Sequence, residues 1–101
     1  MALPIQFPPA PLAAICQRYG VRRLSVFGSA LRSDFGPDSD VDVLVEFEQG
    51  HSVGFFRLAA LQRELAALIG REVDVRTPGD LSPYFRDDVL RAALEQYAAR
   101  G

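Results

Sequence analysis

Gly28-Ser29-Ala30-Leu31-Arg32-Ser33-Asp34, followed by Ser39-Asp40-Val41-Asp42-Val43-Leu44-Val45-Glu46, is the stretch that decides how this chain is read. A strand sends successive side chains to opposite faces, so Asp40, Asp42, Leu44 and Glu46 share one face and Val41, Val43 and Val45 the other. The valines can anchor a core while the aspartates point into a cleft. Two carboxylates side by side, with no Lys or Arg beside them in the strand, repel one another, and a hard divalent cation reverses that repulsion. The pattern predicts a metal site, with Mg2+ as the ion. Glu46 lies about 13 Å beyond Asp40 by strand rise, too far to share an ion, and reads as a surface residue at the strand end.

Working outward, Val21 to Phe27 reads as a short strand and Ala30 to Ser33 as the start of a helix. Gly28-Ser29 then occupies a strand-to-helix turn, where unpaired backbone N–H groups converge. The missing side chain of Gly28 lets an anion approach the backbone, the Ser29 hydroxyl adds a donor, and a helix N-terminus favours negative charge. Mg2+ is commonly held by a few carboxylates together with substrate phosphates. An anion-binding turn beside a carboxylate pair therefore predicts a nucleoside triphosphate site.

Gly-Ser, a short helix and then Asp-x-Asp on the next strand resembles the signature of the nucleotidyltransferase superfamily that includes DNA polymerase beta. Within it, the run from Val26-Phe27-Gly28-Ser29 through Asp40-Val41-Asp42 to Glu46-Phe47 resembles the minimal nucleotidyltransferases, or MNT domains. The later segments Gly70-Arg71-Glu72-Val73-Asp74-Val75 and Leu81-Ser82-Pro83-Tyr84-Phe85-Arg86-Asp87-Asp88-Val89-Leu90 resemble the same family, leaving about the first twenty residues outside it. The family pattern requires a third carboxylate, and Asp74 fills that place. From the residues alone, Glu72, Asp74 and Arg76 alternate with Val73 and Val75 in a strand that follows a helix ending at Gly70. Paired with the Asp40/Asp42 strand, it would turn Asp74 into the same cleft.

The resemblance implies transfer of AMP from ATP to an acceptor hydroxyl, with pyrophosphate leaving. Asp40, Asp42 and Asp74 are the implied catalytic residues and the ligands of two Mg2+ ions, about 3.5 to 4 Å apart in such sites. Gly28, Ser29 and Arg32 are the implied nucleotide-binding residues. Many family members carry a basic residue directly after Gly-Ser, where this chain has Ala30, which implies fewer phosphate contacts. The family also implies a partner, a HEPN-domain ribonuclease toxin, with AMP placed on one of its tyrosines and the present chain as antitoxin. The alternative is a catalytically weak module that neutralises the toxin by stoichiometric binding.

Composition narrows the field. A chain of 101 residues suits a single domain, 1–101, with one core. A formal net charge of -2 gives no basic footprint for direct nucleic-acid binding. Cys16 is the lone cysteine, has no disulfide partner within the chain, and reads as a small core residue. The start lacks the charged region of a signal peptide and no apolar run is long enough to span a membrane, so a cytoplasmic location is expected. His51 reads as a solvated loop residue and Asp34 as structural.

The remaining elements follow from periodicity. Leu12, Ile15, Cys16 and Tyr19 predict a helix that stops at Gly20, and Phe55, Leu58, Leu61, Leu65, Leu68 and Ile69 predict a second that stops at Gly70. Its charged residues Arg57, Arg63 and Glu64 are expected to face water. Ser82 as N-cap and Pro83 in the first turn predict a third helix, with Phe85, Val89, Leu90, Ala93, Leu94 and Tyr97 on its apolar stripe. Phe55, Phe56, Tyr84 and Phe85 are read as core residues; if exposed, they would form a partner-binding patch. The expected fold is α/β (α+β): a small mixed sheet of at least three core strands flanked by helices.

Overall fold

Pro9 opens helix α1 (Pro9–Tyr19), at a position where a missing N–H costs no intrahelical bond. Gly20 closes it in the left-handed region at φ 70°, and the chain turns directly into strand β1 (Val21–Phe27). Strand β2 (Val41–Phe47) is followed by α2 (Phe55–Ile69), closed by Gly70 at φ 67°, and by β3 (Val73–Arg76). A 3-10 turn over Pro78–Asp80 leads to α3 (Arg86–Ala92) and β4 (Leu94–Ala98). This computed structural model describes residues 7–28, 40–48 and 54–99. Ser29, Arg32, Asp34 and His51 lie outside the described residues.

The four strands form one mixed sheet in the order β3-β2-β1-β4. β1 pairs antiparallel with both β2 and β4, whereas β2 and β3 run parallel, which requires the crossover that α2 provides. The alternation seen in the sequence holds. Val41, Val43 and Val45 are buried with Leu24, Val26 and Val73 against Leu12, Ile15 and Cys16 of α1 and Leu61 and Leu65 of α2. Phe7, which the sequence reading passed over among its prolines, is also buried in this core. Cys16 sits there as expected, with burial pushing its thiol pKa up to about 12, so it is an inert apolar residue.

β3 is an edge strand, and its outward N–H at Val75 donates to Gln62 Oε1 of α2 at 3.1 Å. That bond satisfies one of the N–H groups that an edge strand leaves open. α1 and α2 are tied together at their solvent side. The Tyr19 hydroxyl donates to Glu64, Arg18 Nη1 lies 2.9 Å from Glu64 Oε1, and the Arg57 guanidinium stacks 4.9 Å over the Tyr19 ring. Arg57 faces water as expected and Glu64 is half-buried, and both are parts of this clasp.

Three expectations fail. The single helix expected from Ser82 to Tyr97 ends at Ala92, Ala93 is extended at φ −63°, ψ 137°, and Leu94–Ala98 pair with β1 as β4. Ladder bonds to an otherwise open edge of β1 outweigh the helix propensity of Ala-Leu-Glu-Gln. Ser82 does not cap α3; its Oγ accepts from the Tyr84 N–H at 3.4 Å in the turn before the helix, and Phe85 stands at the cap. The aromatic residues read as core are exposed: Phe55 by 78%, Phe56 by 86%, Tyr84 by 88% and Phe85 by 64%. Among the described residues no helix is long and apolar enough to cross a membrane.

Candidate active site

The site grows from the second face of the sheet. On β2 this face carries Asp42, Leu44 and Glu46, opposite Phe27, Ser25 and Arg23 of β1. On β3 it carries Asp74 and Arg76, because Val73 and Val75 turn toward the core. The parallel register sets Val41 beside Val73 and Asp42 beside Asp74. Neighbouring strands are about 4.8 Å apart, so two carboxylates 32 positions apart in sequence become lateral neighbours.

Gly28 follows Phe27, the register partner of Asp42, and turns the chain at φ +66°. A Cβ at Gly28 would lie 2.5 Å from Asp42 Oδ2, closer than real Cβ atoms come, and 3.2 Å from its Cγ. The backbone angle favours glycine, and any side chain there would also have to displace the Asp42 carboxylate. The sequence reading gave Gly28 to a phosphate; the structure adds that it seats Asp42.

Asp42 and Asp74 open into a cavity of about 420 Å³ whose other walls are Phe27, Arg76, Asp80, Leu81, Ser82, Phe85 and Val89. Its far wall is held in place by side-chain hydrogen bonds. Arg86 donates to the Pro78 carbonyl at 2.8 Å and the Leu81 carbonyl at 3.1 Å, and the Thr77 N–H and hydroxyl donate to Asp80 Oδ2 at 3.1 and 3.0 Å. A second cavity of about 350 Å³, against Phe55, Leu58 and Gln62 of α2, shares Asp74, Arg76 and Asp80 with the first.

Arg76 is the basic side chain among the described residues lining these two cavities. Its Nη2 and Nε donate to Asp74 Oδ2 at 2.9 and 3.2 Å. The sequence places the pair on one face through their spacing of two, but the reading of unneutralised carboxylates attended to β2 and missed the counter-ion on β3. Asp40 is placed differently from Asp42. β2 begins at Val41, whose N–H donates to the Glu72 carbonyl at 2.9 Å, and Asp40 is an exposed residue at the strand entrance, outside the residues lining the cavity.

Among the described residues no three His, Cys, Asp or Glu side chains come together closely enough to hold a metal ion. A preformed cage is not what Mg2+ demands, since it takes one or two carboxylates and completes its shell with water and substrate phosphates. Asp42 and Asp74, all-oxygen donors adjacent in register at an open cavity, fit a hard cation of that kind.

A sheet of this order, with one carboxylate on each of two parallel strands beside a glycine turn, is a nucleotidyltransferase architecture, and the comparisons agree. The nucleotidyltransferase domain model matches residues 12–95, so the family begins within α1 rather than after Gly20. The chain belongs to the nucleotidyltransferase domain family. Among its relatives is protein adenylyltransferase MntA of Thermococcus cleftensis, 40% identical over 78 residues, 77% of either chain. Another, from Methanocaldococcus jannaschii and named a candidate protein adenylyltransferase, is 40% identical over 81 residues, 80% of this chain and 85% of the relative. The solved structure of a candidate minimal nucleotidyltransferase superposes with a TM-score of 0.68 at 40% identity, covering 84% of each chain. Two more distant structures share the fold: a toxin-antitoxin with AMP-PNP (TM-score 0.69, 15% identity, 89% of this chain and 73% of that one), and tri-AMPylated Shewanella oneidensis HEPN toxin in complex with MNT antitoxin (0.60, 14%, 87% and 67%).

Proposed function

We propose that this nucleotidyltransferase moves AMP from ATP to a hydroxyl of a partner protein, a tyrosine of a HEPN-domain toxin, and so acts as its antitoxin. The observation that carries the reading is the pairing of Asp42 with Asp74 beside Gly28 at an open cavity. Relatives at 40% identity named for protein adenylylation, and fold neighbours in complex with AMP-PNP or an AMPylated HEPN toxin, support the substrate and the partner.

Asp42 and Asp74 would hold the divalent ions, with Asp40 completing the set from the strand entrance. Two Mg2+ ions, when bound, would offset the triphosphate charge and lower the pKa of the attacking hydroxyl. Gly28, Ser29 and Arg32 are read as the phosphate contacts. The acceptor oxygen bonds to the α-phosphorus as the α–β phosphoanhydride breaks, pyrophosphate departs, and the hydroxyl proton passes to Asp74. AMP on a residue near a ribonuclease site adds bulk and negative charge, which repels RNA. Incubating the full chain with its HEPN partner, ATP and Mg2+ and recording the partner's intact mass tests this. One or more added AMP groups support it; an unmodified partner overturns it.

The four exposed aromatics favour a second reading, in which the protein neutralises its partner by stable binding. A complex that survives gel filtration without ATP, and suppresses the toxin with no mass added, would establish that reading in place of transfer.

A further inference from the structure

Asp74 is asked to serve a cation, yet its Oδ2 already accepts two hydrogen bonds from Arg76, at 2.9 and 3.2 Å. The pair is half-exposed, with side-chain exposures of 50% for Arg76 and 38% for Asp74, so it lies open to exchange rather than locked in the core. Arg76 also borders both cavities that meet at Asp74. A guanidinium suits carboxylate and phosphate oxygens alike, because its donors form the same planar fork toward either.

We propose that Arg76 is an exchangeable counter-ion: it occupies Asp74 while the site is empty, yields that oxygen to a divalent cation, and then turns to the phosphates of the arriving nucleotide. This rests on the reading of Asp42 and Asp74 as the cation site. Arg76 then has two opposite effects, competing with a bare cation and assisting a nucleotide that brings its own negative charge. It also supplies a phosphate contact on the side of the site away from Gly28, in a chain that has Ala30 directly after Gly-Ser.

The test uses the full chain and Mn2+ alone, counted as free ion by electron paramagnetic resonance, then AMP-PNP with Mg2+ by calorimetry. In Arg76→Gln, Mn2+ should bind about 5-fold more tightly, the equivalent of ~1 kcal/mol, while AMP-PNP binds at least about 5-fold more weakly. Arg76→Lys, which keeps the charge but loses the fork, should fall between wild type and Arg76→Gln in both. Unchanged or weakened Mn2+ binding in Arg76→Gln overturns the competition, and unchanged AMP-PNP binding overturns the hand-over to phosphate. Asp74→Asn separates this inference from the reading beneath it. If Asp74→Asn keeps full Mn2+ affinity the cation site itself is wrongly placed; if it loses Mn2+ while Arg76→Gln behaves as wild type, only the role of Arg76 fails.

Discussion

The two faces of the sheet are built from the same strands and do opposite work. On β2, Val41, Val43 and Val45 are fully enclosed under α1 and α2, while one residue out of step Asp42 faces an open cavity with Asp74. Removing atoms from the first face leaves voids that cost stability. Removing charge from the second exchanges a carboxylate for its neutral isostere, and the half-exposed Arg76–Asp74 pair lost with it is of the kind that contributes little, so the fold should stay intact. A period-two alternation thus keeps the structural and chemical demands on one strand from competing.

The largest expected departure lies on the open face. Asp74→Asn should lower AMP transfer by about 10³-fold, roughly 4 kcal/mol in the barrier, judged by the loss of one transition-state contact in other enzymes. Its urea midpoint should stay within error of wild type. On the closed face Leu65→Ala, at a fully buried position of α2, should cost about 2 to 5 kcal/mol of stability in urea unfolding. The folded fraction should retain the wild-type rate.

Gly28→Ala crosses the boundary between the faces. The left-handed backbone angle alone costs about 1–2 kcal/mol, and the new Cβ must push aside Asp42. Both stability and transfer should fall, and transfer by more than the stability loss explains.

The smallest effect belongs to the α1–α2 clasp, remote from either face of the site. The hydrogen bond from Tyr19, followed by the nearby Arg18, holds the Glu64 carboxyl below its ordinary value and pushes the Tyr19 hydroxyl up. A depressed carboxyl stabilises the fold above its unfolded pKa of about 4.3 and loses that contribution as pH falls through the lower folded value. The stability gap between wild type and Glu64→Gln should therefore be constant from neutral pH to about 5 and close below about 4.

Alternation and glycine stops made much of this architecture readable before any coordinates. Val21–Phe27, the Asp42 and Asp74 strands and the stops at Gly20 and Gly70 follow from local pattern, and their pairing follows from two valine faces needing one core. What stayed hidden depends on distant contacts. Nothing local tells Leu94–Ala98 that β1 has an open edge to fill, and no periodicity separates a core Phe55 from an exposed one. The neighbourhood of Asp42 and Asp74 was legible as chemistry, and the Arg76 counter-ion was legible too in its spacing of two from Asp74 on the same strand, though only the structure shows the two in contact. Ser29 and Arg32 rest on sequence alone.

The most direct test compares wild type with Asp42→Asn in parallel: ATP labelled at the α-phosphate, Mg2+ and the HEPN partner, with melting recorded on the same preparations. The account predicts label on the partner with wild type, none above background with Asp42→Asn, and melting temperatures within about 2 °C of each other, since ~1 kcal/mol would move a domain of this size by about 4–8 °C. Full labelling by Asp42→Asn would contradict it, because the carboxylate beside Gly28 and in register with Asp74 would then have no part in the chemistry.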